Sequence, residues 1–337
     1  MRGVLYKVEK LGRPAIRLHA APPASTIQVA LPASTIQVSL PASMIQVALP
    51  ATCGELLQGH LDGADFHVTC PVAVYGAVRI LAQPRPAAVR LPRKAEAALI
   101  EVLRALRVNL SPGGMATLAA RIQLVSRLPQ AKGMASSSVD VLGVVLAVGR
   151  LLGRAWTPAE ASRLALAVEP TDGIAFPGLV LFDHRHGTRC ELLGSPPPLR
   201  VVVIEPRQRV ETVAFNRQVA SPRNWSHHAP AWRDAVAMMR HGVRHGDARA
   251  MGAAASLSAQ RWQAILPHPW LPEILALGRR HGAVGVCRAH SGSVLGLLFA
   301  PAAEPAPSPL SVLKPLRRGA RGGARIWETC LVGGGAS

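Results

Sequence analysis

Apolar and polar residues alternate at Ile45, Val47 and Leu49, the period of a strand with one buried face. Short β-rich runs recur at 66–70, 72–82 and 89–91. Over 93–107 the period lengthens to that of a helix, with Ala98, Leu99, Val102, Leu103 and Leu106 on one face. Residues 117–125 read as another strand. Residues 139–152 are apolar on every side, which predicts a buried helix. Thr157-Pro-Ala-Glu160 has the form of a capping box with proline at the first helical position, so a helix should run to about Val168. Strands at 178–182 and 199–205 follow, then helices at 231–243, 247–265 and 271–281, and closing strands at 283–288 and 294–299. Helices mixed with hairpins, without regular βαβ alternation, predict an α+β fold.

Residues 23–49 are three copies of one nonapeptide, Pro-Ala-Ser-Thr-Ile-Gln-Val-Ala-Leu and close variants, and a fourth copy begins at Pro50. The third copy supplies the first domain strand, which is expected to feed a loop over Thr52–Gly59. A period of nine is odd, so successive copies present opposite faces and cannot simply extend one ladder. The earlier copies are expected as a mobile or loosely paired arm over 1–43, or as strands added at a sheet edge. Two lobes are expected at 44–190 and 191–300. The Pro-, Gly- and Arg-rich tail, 301–337, is expected to lack order.

Composition narrows the function classes. With 49% hydrophobic and 17% charged residues the chain is not a disordered one, and no apolar run is long enough and free enough of charge to span a membrane. Residues 1–17 lack the apolar core and cleavage site of a secretory signal. The five cysteines have no C-x-x-C spacing, which points to a reducing cytoplasm and away from a zinc ribbon. The net charge of +19 would draw anionic ligands. Its arginines are dispersed and aromatics are only 4%, so specific nucleic-acid binding is not expected. Oligomeric state is not legible.

The sharpest chemical signal is Leu128-Pro-Gln-Ala-Lys-Gly-Met-Ala-Ser-Ser-Ser-Val-Asp140. Gly133 permits a tight turn and close approach of a ligand to the backbone. Met134, Ala135 and Ser136 then offer successive N–H groups, and Ser136, Ser137 and Ser138 add hydroxyls where a helix N-terminus receives an anion. The bland alternative is a serine-rich helix cap. The segment is not a P-loop, because G-x-x-x-x-G-K-[ST] is absent.

Two further segments, Pro-Ala-Thr-Cys-Gly-Glu-Leu-Leu-Gln-Gly at 50–59 and Ala-His-Ser-Gly-Ser-Val-Leu-Gly at 289–296, complete a set. In order and spacing the three resemble the motifs of the GHMP kinase superfamily, the middle one matching P-x-x-x-G-(small)-x-S-S-x at Pro129, Gly133, Ser136 and Ser137. With Glu-Pro-Thr-Asp at 169–172, they look like the L-threonine kinase branch that serves cobalamin synthesis. The resemblance covers about residues 44–300. It implies a two-lobed fold with the nucleotide between the lobes, ATP and Mg²⁺ as cofactors, and L-threonine as the small-molecule substrate, phosphorylated on its hydroxyl. Alternatives are a GHMP kinase acting on homoserine or an isoprenoid alcohol, or a non-catalytic member that binds or regulates.

The resemblance carries the nucleotide contacts onto Pro129, Lys132, Gly133, Met134, Ala135, Ser136, Ser137 and Ser138. It carries Mg²⁺ onto Ser137 and Glu169; an acid is unfavourable at the end of a helix unless it has another use. Asp172 is the candidate base, or else part of an Asp-Gly turn. Lys132 is either a point charge for phosphate or a solvated turn lysine. The acceptor contacts fall on Cys53, Gly54, Glu55, Gln58, His290, Ser291, Gly292 and Ser293. Glu55 suits an ammonium, and Gln58 suits a carboxylate or hydroxyl. Cys53 also reads as a packed small hydrophobe, and His290 as a structural histidine. His184, His186, His227 and His228 show no ligand spacing, so no zinc site is assigned.

Overall fold

The computed structural model describes residues 8–11, 15–18, 26–31, 34–39, 44–86, 90–126, 128–207, 229–301 and 323–337, the first four segments as backbone only. Strands β1 (Val8–Leu11), β2 (Ala15–Leu18), β3 (Thr26–Leu31) and β4 (Ser34–Ser39) come first. The first two nonapeptide copies supply β3 and β4. These pair antiparallel, with Ile27 opposite Val38 and Val29 opposite Ile36. A hairpin thus reconciles the odd period: reversing the chain direction returns equivalent residues to one face.

The third copy begins β5 (Ile45–Leu61), which runs on without a break through the segment expected as a loop at 52–59. It pairs with β6 (Ala64–Ile80) across Asp62-Gly63, both with positive φ, as a two-residue hairpin turn of the twist-matching kind requires. Helix α1 (Arg93–Ala105) buries Ala98, Leu99, Val102 and Leu103, and β7 (Asn109–Leu110) follows it.

Next comes α2 (Pro112–Arg121), where a strand was expected. The Ser111 hydroxyl accepts from the Gly114 N–H and Pro112 sits in the first turn, a start signal that outweighs the β-leaning pattern after it. Only β8 (Ile122–Val125) remains extended. Helix α3 (Ser136–Leu151) is buried along almost its whole length, and α4 (Pro158–Leu166) starts with the expected capping box. Strands β9 (Leu179–Phe182), β10 (Cys190–Gly194) and β11 (Arg200–Pro206) lead to helices α5 (Ala229–His245), α6 (Ala248–Gln263) and α7 (Leu271–Arg280). The chain closes with β12 (Gly285–Arg288), β13 (Leu295–Phe299) and β14 (Ala324–Cys330).

A nine-stranded sheet runs in the order β10-β9-β6-β5-β12-β13-β11-β14, with β8 also beside β6; β1-β2-β4-β3-β7 form a smaller sheet of five. The end of the tail, 323–337, therefore departs from expectation, while 302–322 lie outside the described residues. β14 seals the edge beside β11, and Ser337 exchanges backbone hydrogen bonds with Ala48 at 3.0 and 3.1 Å. A segment that pairs its backbone and buries Ala324 and Ile326 on one face outweighs the Gly/Arg-rich composition around it. One core cluster runs from Val47 on β5, through α3, to Leu298 on β13, so the long β5 strand ties the chain's two halves together. Trp232 of α5 packs against Gly59 of β5, where an added Cβ would stand 2.5 Å from the indole.

Candidate active site

The segment 131–135 turns sharply before α3. Ala131, Gly133 and Ala135 all have left-handed φ, of 58°, 81° and 58°. Such a conformation costs each alanine about 1–2 kcal/mol, and alternation of this kind turns backbone N–H groups toward an anion. The flanking segments hold the strained loop in place. Thr52 and Gly54 donate their N–H groups to the Met134 and Gly133 carbonyls, at 3.3 and 3.1 Å. From the other side Ser293 and Val294 both donate to the Lys132 carbonyl, at 3.1 and 3.0 Å. Gly292 packs against the Lys132–Gly133 backbone and Gly133 against the Ala289 side chain, leaving no room for a Cβ on either glycine. No side chain caps α3, so its first N–H groups open onto a cleft of about 940 Å³.

One wall of this cleft is a chain of charges. The Ser137 hydroxyl donates to Glu169 Oε1, while the Lys94 ammonium, from the start of α1, lies 2.5 Å from Glu169 Oε2 and 3.2 Å from Ser137 Oγ. A cation thus already stands between this hydroxyl and this carboxylate, an oxygen set that also suits a hard divalent ion. Asp140, one turn further along α3, is pushed up to about 6 by burial and by the Glu169 charge, and its Oδ1 is buried without a partner. Ser138 donates to Asp172 Oδ2 at 2.9 Å and accepts from the Asp172 N–H at 3.2 Å. Burial, opposed by that Ser138 bond and reinforced by Glu169, raises the Asp172 carboxyl to about 6.

The cleft ends against β5 and β6. Thr52 pairs with Pro71 and Glu55 with Thr69, so Cys53 and Gly54 face the single residue Cys70. Such a bulge re-aims side chains, and Gly54, at φ 61°, makes it possible. Glu55 is 6% exposed, and burial together with the Asp172 charge lifts its carboxyl well above the usual range. Single oxygens of Glu55 and Asp172 and a nitrogen of His67 lie within 4.8 Å of one another. His184 and His290 stand beside His67, and Gln58 Oε1 accepts from His290 Nδ1 at 2.9 Å.

Of the residues singled out from sequence, Glu55, Gly133, Met134, Ala135, Ser136, Ser137, Ser138, Glu169, Asp172, His290, Ser291 and Gly292 line this cleft together. Pro129, Cys53, Gly54, Gln58, Lys132 and Ser293 do not. The Lys132 ammonium is turned away and donates to the Pro206 and Arg207 carbonyls at 2.5 and 3.2 Å, which ties the loop to the end of β11. A tight turn fixes the backbone at 132 but leaves the side chain to the nearest carbonyls. Cys53 packs beside Cys287, whose thiol donates to the Cys53 carbonyl; the Cys287 thiol beside the Cys53 thiol, together with burial, pushes the latter upward. Gln58 orients His290 and reaches the Arg288 carbonyl, and Ser293 is buried beneath the loop.

Sequence reasoning missed Lys94, Asp140, His67, His184 and Arg185, all of which line the cleft. Asp140 stands one turn beyond the serines, a spacing that could have revealed it. Asp183 was the available signal for the next turn: its carboxylate accepts from the Arg185, His186 and Thr188 N–H groups, the mark of an ordered turn that presents side chains. His184 joins His67 and His290, a grouping that sequence spacing did not reveal. His227 and His228 lie outside the described residues.

Comparison with known proteins agrees with this geometry. Residues 96–176 match the GHMP kinases N-terminal domain and residues 239–307 the GHMP kinases C-terminal domain. The L-threonine kinase of Salmonella typhimurium is 31% identical over 74% of this chain and 80% of its own length. That of Citrobacter freundii is 32% identical, over 74% and 84%. The homoserine kinase structure from Cytophaga hutchinsonii superposes with a TM-score of 0.60 at 18% identity, covering 87% of this chain and 96% of that one, a likeness of fold. The motifs, the cleft they build and these relatives together place the chain in the GHMP kinase family.

Proposed function

We propose that this GHMP kinase transfers the γ-phosphoryl group of ATP to the side-chain hydroxyl of L-threonine, giving L-threonine O-phosphate for the aminopropanol arm of cobalamin. The observation that carries the acceptor is the facing pair Glu55 and Asp172, two buried carboxylates with oxygens within 4.8 Å. Left alone they repel, and Glu55 is raised for that reason after burial itself. An ammonium beside Glu55 offsets the repulsion. In L-threonine the amino and hydroxyl groups sit on adjacent carbons, within hydrogen-bond distance of each other, so one molecule can address both carboxylates. A mevalonate-like acid brings no cation to this place. The relatives named L-threonine kinase support the same acceptor.

In this reading the triphosphate lies over the 131–135 turn and the open N-terminus of α3, where backbone N–H groups stabilise it without reorganisation. Mg²⁺, held by Ser137 and Glu169 with Asp140 nearby, would neutralise phosphate charge. Lys94, paired with Glu169 through an exposed side chain, is placed to reach the phosphates as well. Asp172 accepts the hydroxyl proton as the threonine oxygen attacks; Ser138 fixes its orientation. His290, oriented by Gln58, closes the acceptor end.

The test is ATP consumption with Mg²⁺ against L-threonine, L-serine, L-homoserine and mevalonate, with products identified by mass. Phosphothreonine formed at the highest kcat/KM supports the assignment. Preference for homoserine or mevalonate discards the acceptor and keeps the kinase; ATP bound without turnover of any acceptor favours a binding role.

A further inference from the structure

Phosphoryl transfer assigns a role to only one member, His290, of a histidine group in the cleft. His67 on β6, His184 in the turn after β9 and His290 after β12 come from three distant segments, yet one nitrogen from each lies within 4.8 Å of the others. The His67 and His184 rings stack with centroids 3.6 Å apart and 7° between planes; His290 lies 4.4 Å from the first and 5.2 Å from the second. Burial is the main cause that keeps all three rings neutral: His67 and His290 lie well below the ordinary range and His184 at about 4. Both nitrogens of His67, Nδ1 of His184 and Oε2 of Glu55 are buried without a hydrogen-bond partner, and Glu55 Oε2 is 3.7 Å from His67 Nδ1. Buried polar atoms rarely go unpaired, and several together beside a cleft mark the place of a ligand.

The tautomers indicate what kind. Gln58 donates through Nε2 to the Arg288 carbonyl, which fixes the amide, so its Oε1 accepts from His290 Nδ1–H and the lone pair of that ring belongs to Nε2. An imidazole oriented through its other N–H by a carbonyl-type oxygen is the usual support of a metal-binding histidine. Neutral imidazoles beside a carboxylate suit borderline d-block cations and not Mg²⁺.

We propose that His67, His184 and His290, with Glu55 as the adjacent carboxylate, form a binding site for a transition-metal cation of the Zn²⁺ class. The stacked rings set one condition: parallel lone pairs do not converge, so one ring must turn about χ2, a broad torsion for histidine. No hydrogen bond to Nδ1 restrains His184. The site shares no residue with Ser137, Lys94 and Glu169, the group assigned to the phosphates. Because it uses Glu55, the cation and an acceptor ammonium exclude each other there, a consequence that rests on the acceptor reading above; the binding itself does not.

The test uses the full chain, freed of metal with a chelator and titrated with Co²⁺ while visible absorption is recorded. One equivalent should give the d–d bands of a four- or five-coordinate ion, bleached by one equivalent of Zn²⁺ and unaffected by Mg²⁺. His184→Gln and His67→Leu should each weaken binding at least about 10-fold, the lower end of what losing even an outer partner costs. Circular dichroism checks that each variant is folded, and His184→Gln, in a turn, is the safer of the two. His241 and His245, a ring pair 4.6 Å apart on α5, are the obvious adventitious chelators. His241→Gln/His245→Gln should bind as wild type does. Absence of stoichiometric uptake, equal affinity in folded His184→Gln, or loss of uptake in the α5 double variant would each overturn the proposal. Kinase turnover is not the readout, so failure here leaves the phosphoryl-transfer reading intact.

Discussion

Replacing Asp172 with asparagine separates the stability of the site from its chemistry. In the folded protein this carboxyl is raised from 3.8 to about 6, mainly by burial. About two pKa units correspond to about 3 kcal/mol. The sign follows from proton binding: the folded state holds its proton more tightly, so the stabilising contribution is full below pH 3.8 and is lost as pH rises through about 6. At pH 8 wild type therefore bears an ionisation cost that the neutral amide does not. The substituted amide keeps an oxygen to accept from Ser138, and losing that bond would return about 1 kcal/mol. Asp172→Asn should then be more stable than wild type by about 2–3 kcal/mol at pH 8 and nearly equal to it at pH 4, measured by urea unfolding across that range. Turnover should fall about 10²–10⁴-fold if the carboxylate serves as base, and wild-type turnover should rise with pH through about 6. Near-wild-type turnover in the variant would remove the base. A stability difference that does not grow between pH 4 and 8 would refute the burial argument.

Other expectations are simpler to read. Glu169→Gln and Ser137→Ala should each lower kcat by orders of magnitude and raise the Mg²⁺ concentration needed for half-maximal rate; wild-type-like values in both would end the metal assignment. Lys94→Met should reduce kcat/KM for ATP more than that for the amino acid, and an equal loss in both would point to a structural role. Glu55→Gln should raise the amino-acid KM with little change in the ATP KM, so an unchanged amino-acid KM removes the ammonium contact. Gly54→Ala combines a left-handed φ, costing about 1–2 kcal/mol, with a Cβ 2.6 Å from the Arg288 carbonyl oxygen. Its denaturation midpoint should drop clearly, and an unaltered midpoint would show that the bulge can relax.

Much of the fold was written in local pattern. The capping box at Thr157, the buried helix before it and the three helices between 229 and 280 all follow from periodicity and caps. The misreadings share a cause. At 117–121 a single N-cap at Ser111 committed the chain to helix before its β-leaning residues were reached. At 52–59 Gly54, which looks like a loop signal, instead serves a bulge within a strand, because long-range pairing to β6 and β12 supplies the backbone partners. At 324–330 composition suggested disorder, while the vacant edge of β11 offered a row of hydrogen bonds.

The site divides along the same line. Backbone-determined features, such as the Gly133 turn and the open end of α3, are local and could be read directly. Side-chain direction is not local. Lys132 stands in the turn, yet its ammonium finds two carbonyls at the end of β11 in place of the cleft. Lys94 sits in the first turn of a helix with an ordinary sequence, and enters the cleft because α1 packs on α3 beside Ser137. The net charge of +19 is equally uninformative about this cleft, where Glu55, Asp140, Glu169 and Asp172 crowd together. Three of them feel another's charge, and burial raises the same three. Such crowding is relieved by protonation or by cations; Lys94 is one such cation, and in the function proposed above an acceptor ammonium and a divalent ion are the others.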